Sequence, residues 1–143
     1  MKASSKVTLD SAIDECNLDY ENSNIRSLFS TKPIRGEIGI KNFGRYITSA
    51  EVIDALAEEG LKPINATELF YWCSTHTDEW RGKYVVALGE DVAFNDLRRV
   101  CYASFDGAER RAYLSWLGHE WGGYAWFGFL RESSGTDYQP HQI

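Results

Sequence analysis

Apolar and polar positions alternate most clearly between Arg98 and Arg131, where the runs RRVCYASF, ERRAYLSWL and YAWFGFLR are separated by glycine-bearing breaks. The first break is Asp106-Gly107. Asp-Gly between β-favouring runs favours a two-residue type I′ turn, because that turn needs φ > 0 at both central positions. The pattern predicts an antiparallel C-terminal meander. With a two-residue turn, Phe105 lies opposite Ala108, Cys101 opposite Ala112 and Arg99 opposite Leu114. Cys101, Ala103, Phe105, Ala112, Leu114 and Trp116 then share one face, and Val100, Tyr102, Tyr113 and Leu117 the other; a slip of one residue would exchange them. The second break, Gly118 to Gly123, reads either as a loop or as a tight Gly118-His119 turn followed by a bulge at Gly122-Gly123.

Upstream the period changes to that of helices. Leu9, Ile13, Cys16 and Tyr20 follow a spacing of four, three and four, which predicts a helix over 9–20. Thr48 and Glu51 form a Thr-x-x-Glu capping box ahead of Val52, Ile53 and Leu56. Gly60 and Leu61 fit a Schellman ending, and Pro63 stops the helix. Asn65 and Glu68 repeat the device ahead of Leu69, Trp72, Cys73 and His76. The two helices are joined by a short connection and form a pair. Residues 34–40 (IRGEIGI) read as a short edge strand weakened by Gly36 and Gly39. The unbroken run from Tyr84 to Leu88 reads as a central strand buried on both faces, with a loop from Gly89 to Asp96. Residues 1–7 are small and polar and expected to fray, and residues 133–143, rich in Ser, Gly and Gln, are expected to be disordered.

The predicted architecture is therefore α+β: a capped helix pair packed on an antiparallel sheet of about four strands with a C-terminal meander. The 143 residues suit one domain. The net charge of −6 lies wholly before residue 97, and an acidic chain lacks the electrostatic footprint of a general nucleic-acid binder. Such a chain is also repelled by anionic membrane surfaces, and the absence of a long apolar run predicts a cytoplasmic protein. Three cysteines without a CxxC pattern predict reduced, buried thiols.

Three segments carry a resemblance: a capped helix ending in LKPINATEL, the strand VVALG, and the terminal YLSW-LGHEW-GGYAWFGFLR. Residues 47–131 resemble a set of small, uncharacterised bacterial and mobile-element proteins with a helix pair, a short strand and a Trp-rich hairpin. Ile64-Asn65 departs from the Ala-Thr form of that set, and Gly118 and His119 replace its acidic turn residues. The resemblance implies a fold and carries no catalytic residue.

Motifs for chemistry are sparse. His119-Glu120 begins like a zincin helix, but the fifth position is Gly123, so the second imidazole is missing. Cys73 and His76 share a helix face and, with His119 or Glu120, form the candidate metal or thiol site. The bland alternative places Cys73 in the core and His76 at the helix C-terminus. The glycines at 36, 39 and 44 match neither GxGxxG nor a P-loop, and no GxSxG elbow occurs. Arg98, Arg99, Arg110 and Arg111 fall at opposite ends of the hairpin, so they bracket it as solvated edge charges. Tyr102 and Tyr113 between them are the sole hint of single-strand stacking, which the acidity of the chain opposes. Glu51, Asp54, Glu58 and Glu59 give the first capped helix an acidic face that a nucleic-acid mimic would need.

The aromatic load points elsewhere. Rings occupy both faces of the predicted meander, and a helix pair covers one face. The expected function is a non-catalytic interaction module, binding a protein partner or itself through Trp121, Tyr113, Tyr102, Trp126 and His119; the Trp121 indole, on a glycine-flanked turn, is either tucked over the sheet, the commoner outcome, or held out as an anchor. No cofactor or metal is expected. The alternatives are a small enzyme or metal- or ligand-binding domain using Cys73, His76 and His119, and an acidic inhibitor that mimics nucleic acid.

Overall fold

The computed structural model describes residues 7–118 and 120–132. The elements run α1 (Leu9–Glu15), β1 (Tyr20–Glu21), α2 (Ile25–Leu28), β2 (Gly36–Asn42), β3 (Ile47–Thr48) and α3 (Ser49–Glu58). They continue as β4 (Lys62–Pro63), α4 (Ala66–Thr75), β5 (Lys83–Phe94), β6 (Leu97–Phe105), β7 (Arg110–Trp116), β8 (Glu120–Trp121) and β9 (Ala125–Glu132). The α+β class holds. Among the described residues the sheet has seven strands, not about four, in the order β1-β7-β6-β5-β9-β2 with β4 also on β9, and β3 pairs with β8 separately.

The sheet is mixed. Antiparallel pairing joins β5 to β6, β6 to β7 and β2 to β9, while β5 to β9 and β1 to β7 are parallel. The predicted C-terminal meander is corrected here: the third aromatic run does not pair with β7 but passes over to the far side of β5. The consecutive hairpins are β5-β6-β7. Their tight turn is Asn95-Asp96, with φ of 52° and 66° at the two central residues, the two-positive-φ signature of type I′. In place of the expected loop from Gly89, β5 continues to Phe94, with a bulge between Ala87 and Val92.

At Asp106-Gly107 the loop is longer than the sequence pattern predicts. Phe105 pairs with Arg110 and Tyr102 with Tyr113, two residues away from the expected register. The cause is local: the Asp106 carboxylate accepts from the amides of both Ala108 and Glu109 at 2.8 Å, which closes a four-residue turn. An offset of two preserves the faces, so the predicted division of side chains survives.

The helix caps form as the sequence dictates. Thr48 Oγ1 accepts from the Glu51 amide at 3.2 Å, and Glu51 Oε1 accepts from the Thr48 amide at 3.0 Å. Asn65 and Glu68 repeat the exchange at 2.7 and 2.8 Å. Gly60 takes φ +75°, and the Leu61 amide reaches the Leu56 carbonyl at 2.9 Å, the Schellman closure. The first helix is shorter than the predicted 9–20; it ends at Glu15, and Tyr20 enters β1 beside β7. Val7, within the stretch expected to fray, packs against the core; the rest of residues 1–7 and all of 133–143 lie outside the described residues.

The helix pair does not share one face. Leu69, Phe70, Trp72 and Cys73 of α4 join α1 and α2 over Val85, Ala87, Cys101, Ala103, Phe105 and Ala112. Val52 and Leu56 of α3 lie instead over Val86, Leu88, Val100 and Phe127, on the opposite side. The chain therefore passes from one face to the other at β4. Leu61 belongs to the α3 side and Ile64 to the α4 side. Two glycines make room for the passage. A Cβ at Gly89 would stand 2.5 Å from the Pro63 carbonyl oxygen, and one at Gly128 would collide with Ile64 Cδ1.

Candidate functional site

On the α3 side of the sheet the roof is incomplete, and a row of tyrosines occupies the uncovered part. Tyr20 comes from β1, Tyr113 from β7, Tyr102 from β6, Tyr84 from β5, and Tyr124 from the turn entering β9. Because the strands lie in that order, each ring meets the next. Tyr113 stands directly opposite Tyr102, and Tyr84, opposite Ser104, is diagonal to Tyr102. Ring centroids are 5.3 Å apart for Tyr20 and Tyr113, 5.2 Å for Tyr113 and Tyr102, 4.2 Å for Tyr102 and Tyr84, and 5.5 Å for Tyr84 and Tyr124. Tyr20 and Tyr124, at the two ends, are 47% and 68% exposed; the three between are half-buried.

Burial raises the phenols of Tyr84 and Tyr102. Neither supplies a phenolate near neutral pH, so the surface offers ring faces and hydrogen-bonding hydroxyls. The arginines around it are engaged: Arg111 pairs with Asp106 and Glu109, and Arg98 with Asp91 at 2.6 Å. Arg110 lies over the Phe105 ring on the other face at 4.3 Å. The four arginines do not merge into a basic patch, in keeping with their reading as bracketing charges.

Two of the predicted site residues, Tyr102 and Tyr113, fall in this row. Trp121 does not: it is 1% exposed, and its Nε1 donates to Ser49 Oγ at 2.9 Å. The short β3–β8 ribbon pins Trp121 opposite Ile47 and lays its indole edge-on to Phe127 and Tyr84. Of its two expected placements the indole takes the packed one and forms part of the roof. Trp126 lies on the opposite face, against the α4 core, with Lys83 Nζ 5.1 Å above its ring. His119 is outside the described residues.

Cys73 and His76 do not converge. Cys73 is 1% exposed and burial pushes its thiol well up; burial likewise raises Cys16 to about 12, and Cys16 Sγ donates to the Phe70 carbonyl. His76 caps the C-terminus of α4, stacks on Trp72 at 4.9 Å between ring centroids, and brings Nδ1 within 3.0 Å of the Trp72 carbonyl oxygen. Among the described residues no group of three His, Cys, Asp or Glu side chains is placed to hold a metal. The fully enclosed Glu68 is satisfied by Arg35 at 2.9 and 3.1 Å and by the amides of Arg35 and Asn65, so it is a structural node.

Three of the five rings are not marked as surface by the sequence pattern. Tyr84 lies in a run whose unbroken apolar character predicts burial on both faces, although its period-two relation to Val86 and Leu88 marks the face they share. The helical spacing of 9–20 includes Tyr20, and the predicted meander includes Tyr124. Among the described residues no helix is long and apolar enough to cross a membrane. No family model, curated protein or solved structure matches the chain.

Proposed function

We propose that the chain is a non-catalytic protein-binding module whose contact surface is the tyrosine row from Tyr20 to Tyr124. The observation that supports this reading is five contiguous rings spread across strands β1, β7, β6 and β5 and the entry to β9 on a face that α3 leaves open. Tyrosine contributes large contact area at a small cost in side-chain entropy and carries a hydroxyl for polar contacts, which suits it to recognition of protein segments. The net charge of −6 disfavours nucleic acid as the occupant. The occupant of this reading is an extended peptide segment of a partner protein.

The competing readings have less support. An enzyme built on Cys73 lacks a reactive thiol and an oriented base. For the acidic mimic, Glu51 is held in its capping box and Glu59 is paired with Lys41 at 3.3 Å, leaving too few free carboxylates on α3 to trace a phosphate backbone.

Peptides displayed on phage and selected on the wild-type chain provide the test. They are counter-screened on Tyr20→Ser/Tyr113→Ser/Tyr124→Ser and on Trp116→Ser, whose indole is 44% exposed and whose strand position belongs to the opposite face. Selected peptides lose binding to the tyrosine variant and keep it with Trp116→Ser. Peptides that bind all three chains alike, or none that bind the wild type, would overturn the reading.

A further inference from the structure

The two edges of the main sheet are unequal. At one end β1 contributes two residues, Tyr20 and Glu21, on β7. At the other end β2 presents seven, Gly36–Asn42, all paired to β9 on the inner side. Among the described residues no strand lies on the outer side of β2, and no further backbone hydrogen bond from the strand is found there. Exposed edges of this length are ordinarily blunted by charge, proline or a bulge, because they template strand addition. β2 has no proline, and its pairing with β9 runs without a register shift.

The charges on β2 are opposite in sign and symmetric about its centre. Glu37 and Lys41 each stand two residues from Gly39, and Ile38 and Ile40 each stand one. We infer that β2 pairs antiparallel with β2 of a second copy of this chain about a two-fold axis through Gly39. In that register Glu37 faces the partner's Lys41, Lys41 faces the partner's Glu37, and Ile38 faces the partner's Ile40. Both charged pairs and both isoleucine pairs are then favourable, and every edge amide outside β9 gains a partner. A strand with like charges at these positions would repel its own copy.

The surroundings fit that axis. Ile38 and Ile40 are half-buried on the α4 side and already pack against its core, so their meeting across the axis continues one apolar layer into the next. On the opposite side Gly39 carries no side chain, and the Phe129 ring fills the space; a Cβ at Gly39 would stand 2.6 Å from Phe129 Cζ. The strand is therefore thin at the axis, which brings two Phe129 rings together over the paired glycines. A shallow cavity of about 260 Å³ lined by Glu37, Ile38, Gly39, Phe129 and Arg131 lies at this edge. Glu37 has no ion-pair partner among the described residues, while the Lys41 ammonium, 3.3 Å from Glu59, is shared between Glu59 and the partner's Glu37.

Analytical ultracentrifugation of the full chain tests this, with Glu37→Lys, Lys41→Glu, the double exchange, and an equimolar mixture of the two single variants. The wild type sediments as two 16.3 kDa chains at micromolar to near-millimolar concentration. Each single reversal places like charges opposite one another twice per dimer and weakens association at least about tenfold. The double exchange restores it. The mixture also restores it, as a heterodimer in which every lysine faces a glutamate. That last arm answers for local damage, since Glu37→Lys also faces Arg131 across β9 and Lys41→Glu faces Glu59. A wild-type chain that stays monomeric throughout the range overturns the inference. So does a dimer indifferent to both reversals, or single variants that remain monomeric when mixed.

Discussion

The two faces of the sheet are covered by different means. On one, α1, α2 and α4 roof strands β5, β6 and β7, and the side chains beneath, from Val85 to Ala112, are small or aliphatic apart from Phe105. On the other, α3 and the Trp121 indole cover Val86, Leu88, Val100 and Phe127, and beyond their reach the sheet carries tyrosine. The residue types follow the cover. Beneath a helix, close packing favours aliphatic side chains without polar atoms. At the boundary with water, a ring that can pack on one side and hydrate its hydroxyl on the other is favoured. The contrast teaches that the aromatic richness of the C-terminal half has two separate causes, core filling by Trp80, Trp121 and Phe127 and surface presentation by the tyrosines.

Breaking the partial roof gives the largest effect. Trp121→Ala removes an enclosed indole, its hydrogen bond to Ser49 and the edge contact with Phe127, and costs about 3–5 kcal/mol in denaturant unfolding. Tyr124→Ala, at the exposed end of the row, stays within about 0.5 kcal/mol of wild type in the same assay. Equal losses at the two positions would erase the distinction between roof and surface. A smaller effect tests the passage between the faces. Gly128→Ala drives a methyl into Ile64 and costs about 1–3 kcal/mol. Ile64→Val in the same chain recovers part of that loss, because the removed Cδ1 is the nearer of the two colliding atoms while Cγ1 remains, and a double-mutant cycle reads the coupling.

How far the sequence reveals this arrangement depends on the range of the interaction. Thr48-Glu51, Asn65-Glu68 and Gly60-Leu61 form within a few residues, and the structure repeats what their spacing predicts. The faces of β6 and β7 follow from period two and survive even a wrong turn length. Strand order does not, because the alternation of 124–131 is the same whether it lies beside β7 or beside β5. Parallel pairing of β9 with β5 depends on contacts between residues 41 apart in sequence, from Tyr84–Ala125 to Val86–Phe127. For the same reason the pattern leaves both placements of Trp121 open, packed or held out: the two-residue ribbon that pins it to Ile47 is too short to decide between them. Gly89 and Gly128 read as weak points in strands until the course of β4 shows that the chain passes there.

The smallest expected effect lies at that passage and has a sign that can be worked out. Glu90 accepts from the Ala66 amide at 3.0 Å, at the N-terminus of α4, yet burial raises its carboxyl above the ordinary value of 4.5. A raised carboxyl favours the protonated form in the folded chain, so its contribution to stability is full below pH 4.5 and is lost as pH rises through the folded value. Glu51 behaves in the opposite way: the Thr48 amide lowers it, and its contribution is lost as pH falls. Glu90→Gln keeps an oxygen that accepts from Ala66 and removes the charge. Measured by denaturant unfolding across pH, the variant matches the wild type in acid and becomes the more stable of the two toward neutrality. A variant less stable than wild type at neutral pH would mean that the Glu90 charge, acting on the helix N-terminus, outweighs its burial, and that this rim of the roofed face is wetter than its contacts imply.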